Sequence, residues 1–115
     1  MQAVRSIIGI DVAKAELVIH FQNQTITVAN TPPSIRHWLK SLPDSCDIAI
    51  EATSTYHMEV TELAHQKGHH VYVVDGYRLS NYRKGTGGRA KTDASDAQLL
   101  ARFLTREKED LRRWS

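Results

Sequence analysis

Residues 5–12, RSIIGIDV, constrain the fold more than any other stretch. Ile7, Ile8, Ile10 and Val12 put apolar side chains on both faces of an extended segment. The pattern predicts a strand in the middle of a sheet, covered on both sides. Asp11 interrupts the run. With a side-chain period of two it shares a face with Ile7 and Gly9, opposite Ile8 and Ile10. A carboxylate in such a strand is costly unless something pairs with it, which makes Asp11 a candidate functional residue.

The remaining elements follow in order. Residues 17–21 and 25–29 read as two strands joined through Asn23, so the chain opens with an antiparallel meander. Asn30, Thr31, Pro32, Pro33 and Ser34 start a helix whose buried stripe is Ile35, Trp38, Leu39 and Leu42, and Pro43 ends it. Residues 47–51, DIAIE, form a strand with Ile48 and Ile50 on one face and Asp47, Ala49 and Glu51 on the other. Ser54 or Thr55 is expected to cap the next helix, with Tyr56, Val60, Leu63 and Ala64 on one face and Gly68 as its stop. Residues 70–74, HVYVV, are the fifth strand, ending at Asp75 and Gly76. A short helical turn near residues 79–83 and then a mobile loop are expected. The last helix starts at Asp93, capped by Thr92 or Asp93, and is expected to reach about residue 112. The order is β-β-β-α-β-α-β-α, an α/β fold with a mixed sheet and helices on its faces.

In that last helix Leu99, Leu100, Phe103 and Leu104 form the apolar stripe. Asp93 and Asp96 lie three apart at its N-terminal end, on the face directed at the core. A cap and the helix dipole account for one acid there, not two. Asp11 and Glu51 both fall near carboxyl ends of strands, where ligands gather in such sheets. If the closing helix packs across the first strand, Asp11, Glu51, Asp93 and Asp96 share one edge. Without Cys or His, this set suits Mg²⁺ or Mn²⁺. Two such ions serve phosphoryl transfer. Asp75 is a rival acid, ranked lower because Asp-Gly is a common turn pair.

Residues 76–92 carry Arg78, Arg83, Lys84, Arg89 and Lys91 and no acid, interleaved with Tyr77 and Tyr82. Cations contact phosphates and tyrosines stack on unpaired bases, so Tyr77, Arg78, Tyr82, Arg83, Lys84, Arg89 and Lys91 are candidate nucleic-acid contacts. Lys14, in the turn after Asp11, either joins them at a phosphate or is an ordinary exposed turn lysine. Cys46 is the only cysteine, which excludes an internal disulfide. No apolar run is long enough to span a membrane and no signal-peptide pattern is present, so a cytoplasmic protein without membrane partners is expected.

Residues 8–14 (IGIDVAK), 50–53 (IEAT) with Tyr56, and 88–97 (GRAKTDASDA) closely resemble the N-terminal domain of IS110-type transposases, the DEDD recombinases related to the Piv DNA invertase. The resemblance covers nearly the whole chain. It implies a ribonuclease H-like (RuvC-like) fold and an Asp-Glu-Asp-Asp set at Asp11, Glu51, Asp93 and Asp96. It also implies Mg²⁺- or Mn²⁺-dependent DNA strand cleavage and exchange, a structured guide RNA, and homo-oligomers of the full-length protein. Residues 1–105 correspond to the catalytic domain. Residues 106–115 correspond to the start of a charged helical linker to a further domain, so the chain is expected to be incomplete on its own. Relatives usually carry Asn-Pro where this sequence has Asp75 and Gly76. Two other functions compete. A sugar-kinase or actin-like ATPase fragment has this strand order, but Val12, Ala13, Lys14 and Ala15 lack the glycine its phosphate turn needs. A non-catalytic nucleic-acid-binding remnant has the same basic loop without the chemistry.

Overall fold

The computed structural model describes residues 6–43, 45–85 and 93–114, with the side chains of residues 83–85 and 93–95 outside the described set. Five strands form one sheet: β1 (Ser6–Val12), β2 (Glu16–Phe21), β3 (Gln24–Ala29), β4 (Cys46–Glu51) and β5 (His70–Val74). Their order across the sheet is β3-β2-β1-β4-β5. The first three strands are antiparallel, whereas β1 pairs in parallel with β4, and β4 with β5. Thus β1 is the central strand, as its apolar run on both faces requires. Gln22 and Asn23 join β2 to β3 with φ of 53° and 63°. Two successive left-handed residues make the turn whose twist matches the flanking strands.

Helices α1 (Pro32–Lys40) and α2 (Met58–Gln66) lie on one face of the sheet. There Ile8, Ile10, Leu17, Ile19, Ile48 and Ile50 pack with Ile35, Trp38 and Leu39 of α1 and Val60, Leu63 and Ala64 of α2. Thr31 caps α1, its hydroxyl accepting from the Ser34 amide at 3.4 Å, with prolines in the first turn. On the other face α3 (Gly76–Gly85) and α4 (Asp93–Glu107) cover Ala49, Tyr72 and Val74 with Leu79, Leu100, Phe103 and Leu104. Each fully buried aliphatic side chain contributes about 1.5–3 kcal/mol. The alternation of residues 47–51 is realised, with Ile48 and Ile50 in one layer and Ala49 in the other.

Three local expectations differ from the structure. Neither Ser54 nor Thr55 caps α2. A tight turn over residues 54–57, with Ser54 at φ 49° and the Thr53 amide donating to His57 Nδ1 at 3.3 Å, delays the helix to Met58 and leaves Tyr56 exposed. The helical turn expected near residues 79–83 is a ten-residue helix, because Asp75 Oδ1 accepts from the Arg78 amide at 2.7 Å and caps its first turn. The mobile loop expected after it falls on residues 86–92, outside the described set. Finally, α4 ends at Glu107 rather than near residue 112, and a 3₁₀ turn (Lys108–Asp110) follows.

The segment after that turn folds back over the β5 edge. Leu111 packs in the α4 layer and Trp114 in the α1–α2 layer, and the Trp114 amide donates to Val71 O at 2.7 Å. The Trp114 ring stands edge-on to His65 at 5.2 Å. Covering an edge strand in this way removes a site of unwanted pairing. The strap is held by a charge the sequence pattern did not single out. Asp47 is fully buried, with Lys108 Nζ at 2.8 Å and His70 Nδ1 at 3.3 Å.

Strand β1 and helix α4 approach closely at Gly9. A Cβ there would collide with Ala97 O and lie 2.7 Å from Ala101 N, both backbone atoms of α4. Gly9→Ala should therefore destabilise the chain by about 3 kcal/mol through overpacking, read as a lower urea midpoint. Lys108→Met should cost about 2 kcal/mol, less than the roughly 3–5 kcal/mol of a wholly buried pair, because the lysine side chain is 35% exposed. An unchanged denaturation midpoint in either variant would contradict the packing described.

Candidate metal and nucleic-acid site

Sheet register brings the first two acids together. The parallel pairing of β1 and β4 runs from Ser6 opposite Cys46 to Ile10 opposite Ile50. Asp11 and Glu51 are the next residue on each of these neighbouring strands, one step beyond the last paired residues. Both fall on the α4 face, Asp11 two residues beyond Gly9 and Glu51 two beyond Ala49. Both side chains are partly buried.

The direction of α4 brings its N-terminal acids to the same edge. Gly9 meets Ala97 and Ala101, while Ile7, nearer the start of β1, lines a groove with Gln98, Ala101, Arg102 and Thr105. Later residues of α4 thus lie toward the start of β1, and earlier ones toward Asp11. Asp96, immediately before Ala97, is partly buried at this carboxyl edge, and Asp93 opens the helix one turn earlier. The Asp93 side chain lies outside the described set. Among the described residues, no three His, Cys, Asp or Glu side chains converge as a ready-made metal cage.

Glycine shapes the site a second time at position 76. A Cβ there would stand 3.2 Å from Glu51 Oε2, so the start of α3 leaves room for this carboxylate. Asp75, the rival acid, is engaged in capping α3. An all-oxygen donor set on partly buried carboxylates fits a hard divalent cation.

The described basic candidates Lys14 and Arg78 lie around the same edge. Lys14 is exposed in the turn between β1 and β2, whose Ala13 amide donates to Glu16 O at 2.9 Å. Tyr77 is 79% exposed and Arg78 is exposed, both on the first turn of α3. Tyr82 is partly buried and packs edge-to-face on Phe103 with ring centroids 5.3 Å apart, which makes it a core contact. Arg83 and Lys84 belong to α3, with side chains outside the described set, and Arg89 and Lys91 lie outside the described residues.

Sequence reasoning placed Gly9 on the face of Asp11 but not its contact with α4. The small residues Ala97 and Ala101, four apart on that helix, were the available signal. The sequence marks Asn30 as part of a helix start; in the structure its side chain bonds two loops near this edge.

Comparison with known proteins agrees with this architecture. The chain is similar to RuvC of T. thermophilus in complex with a Holliday junction substrate, with a TM-score of 0.60 at 12% identity, covering 96% of this chain and 100% of that one. A second Thermus thermophilus RuvC structure gives 0.61 at 13% identity, covering 95% and 99%. The fold is therefore the ribonuclease H-like fold of RuvC. The pilin gene-inverting proteins of Moraxella bovis and Moraxella lacunata are 32% and 31% identical over 113 residues, 90% of this chain and 35% of each relative. The chain thus spans about a third of the length of the curated relatives it matches. The family model of the IS110-type DEDD transposases, described as a transposase, matches residues 8–115 and sets aside the kinase-like alternative. By that match, which takes in the Asp11 strand, the Glu51 strand and the Asp93 helix alike, the chain belongs to the IS110-type DEDD transposase family.

Proposed function

We propose that this chain is the DNA-cleaving domain of a transposase or site-specific recombinase, in which Asp11, Glu51, Asp93 and Asp96 hold Mg²⁺ or Mn²⁺. The observation that carries the reading is the meeting of Asp11 and Glu51 on adjacent parallel strands, with the Asp96 end of α4 held at the same edge by Gly9. When bound, the divalent ion supplies Lewis-acid activation of the attacking oxygen and charge stabilisation at the leaving oxygen of a phosphodiester. The protein's part is to aim carboxylate oxygens from two strands and one helix at one place. The sheet register supports the first two, and the helix contact at Gly9 supports the third.

The substrate is DNA in this proposal. It rests on the family, on the pilin gene-inverting relatives and on the RuvC fold, whose T. thermophilus representative is in complex with a Holliday junction substrate. Lys14, Tyr77, Arg78, Arg83, Lys84, Arg89 and Lys91 contact the nucleic acid, and Tyr82 supports them by packing α3 onto α4. A structured guide RNA and homo-oligomers of the longer protein belong to the same proposal and rest on the family alone. The chain matches about a third of the length of its pilin gene-inverting relatives, and strand exchange as a whole is proposed for the full-length protein.

In the full-length transposase, Asp11→Asn and Glu51→Gln should each lower Mn²⁺-dependent nicking by about 100-fold or more, from loss of several kcal/mol of metal-linked stabilisation. Both variants should melt at or slightly above the wild-type temperature without metal, because one like charge is removed from the edge. Nicking at the wild-type rate by Asp11→Asn would leave a non-catalytic nucleic-acid-binding module as the function. Mn²⁺ at about 100 times its dissociation constant should stabilise this chain by about 2.7 kcal/mol, seen as a melting shift of roughly 10 °C.

A further inference from the structure

We propose that Asn30 is a positioning residue that braces the loops leaving the two acid-bearing strands, and so sets the spacing of Asp11 and Glu51. The inference rests on the metal reading above. The ladder between β1 and β4 ends at Ile10 opposite Ile50, one residue short of both acids. Beyond it the strands part company. The Ala13 amide turns to Glu16 O, toward β2, and the Ala52 amide bonds Val74 O, toward β5. The acids therefore sit where the main-chain pairing between their strands stops, and another tie is needed there.

Asn30 supplies it. Its side-chain Nδ2 donates to Ala13 O at 2.9 Å and to Tyr56 O at 3.1 Å. Ala13 is two residues past Asp11, and Tyr56 lies in the turn that follows Glu51. One amide group thus spans the two loops. The geometry uses both of its N–H donors on carbonyl oxygens, which a carboxylate or hydroxyl cannot reproduce.

Asn30 is itself well anchored. Its backbone amide donates to Ala15 O at 3.0 Å, directly after Ala29, which pairs with Glu16. The next residue, Thr31, caps α1. A strand end and a helix start therefore fix the brace from both sides. The side chain also carries a penalty that packing alone does not explain. Its Oδ1 is buried and has no hydrogen-bond partner among the described residues. Such unsatisfied atoms call for a compensating role. Here the compensation is the orientation of the two N–H groups.

The test uses this chain and three variants, Asn30→Asp, Asn30→Ala and Asn30→Ser, with two readouts. The first is hydrogen exchange of the backbone without metal. The second is the Mn²⁺ concentration giving half-maximal thermal stabilisation. In Asn30→Asp and Asn30→Ala, exchange should rise together in residues 12–16 and 52–57 and stay unchanged in α2 and β5. The Mn²⁺ midpoint should rise about 10- to 100-fold, the usual effect of losing a group that orients metal ligands. Asn30→Ser, which keeps a single donor, should fall between them and the wild type. In the full-length protein the Asn30→Ala nicking rate should recover at high Mn²⁺, shifting the midpoint and not the plateau. Loosening of only one of the two segments overturns the brace. Loosening of both with an unchanged Mn²⁺ midpoint overturns the positioning role, since a merely structural residue would behave that way. Wild-type chain that melts at the same temperature with and without Mn²⁺ overturns the metal reading itself, a result that involves no variant and so cannot be confused with the others.

Discussion

A helix backbone resting directly on a strand backbone at Gly9 governs the rest of this domain. Any side chain at that position would hold α4 away from β1. With glycine on the strand and Ala97 and Ala101 on the helix, the two main chains touch. That contact fixes the position of α4 along β1 as well as its distance from it. A slide by one turn, about 5.4 Å, would carry Asp96 away from the edge occupied by Asp11 and Glu51. The packing contact and the proposed metal site are therefore tied to one constraint.

The sheet divides the molecule into two apolar layers with different tasks. The α1–α2 layer is a conventional core, built from the isoleucines of β1 and β4 with Trp38, Leu39 and Val60. The α3–α4 layer is tied to the site, since the helices that cover Ala49 and Val74 also bring Asp96 and the exposed Tyr77 to the carboxyl edge. At the opposite edge, where β4 and β5 begin, the buried Asp47 with Lys108 and His70 clamps the chain leaving α4. Trp114 then locks across β5. The chain leaving α4 is thereby tied to the sheet at the edge away from the acids.

Much of this was written locally. The RSIIGIDV run demanded a central strand because its apolar residues occupy both faces, and β1 is central. The alternation in DIAIE separated Ile48 and Ile50 from Ala49 and Glu51 correctly because a strand's period of two does not depend on its surroundings. The α1 cap and its prolines behaved as their chemistry requires. Differences arise where another partner competes with a local signal. Ser54 and Thr55 have cap chemistry, but the His57 ring takes the Thr53 amide and the chain turns once more before helix begins. Residues 106–115 are expected to start a charged linker, yet Lys108 finds a buried carboxylate sixty-one residues away in sequence.

The sequence by itself determined the strand and helix order, the hydrophobic faces and the identity of the acidic residues, since these follow from short-range periodicity and from side-chain chemistry. It also carried the family, through motifs whose residues are contiguous. Only the tertiary structure decided that Asp11 and Glu51 stand side by side, because parallel register is set by the packing of whole strands. It alone decided how far along β1 the last helix rests, since that depends on close contact between Gly9 and residues about ninety positions later. The role of Asn30 was likewise decided there: its two acceptors, Ala13 and Tyr56, become neighbours only when the chain has folded.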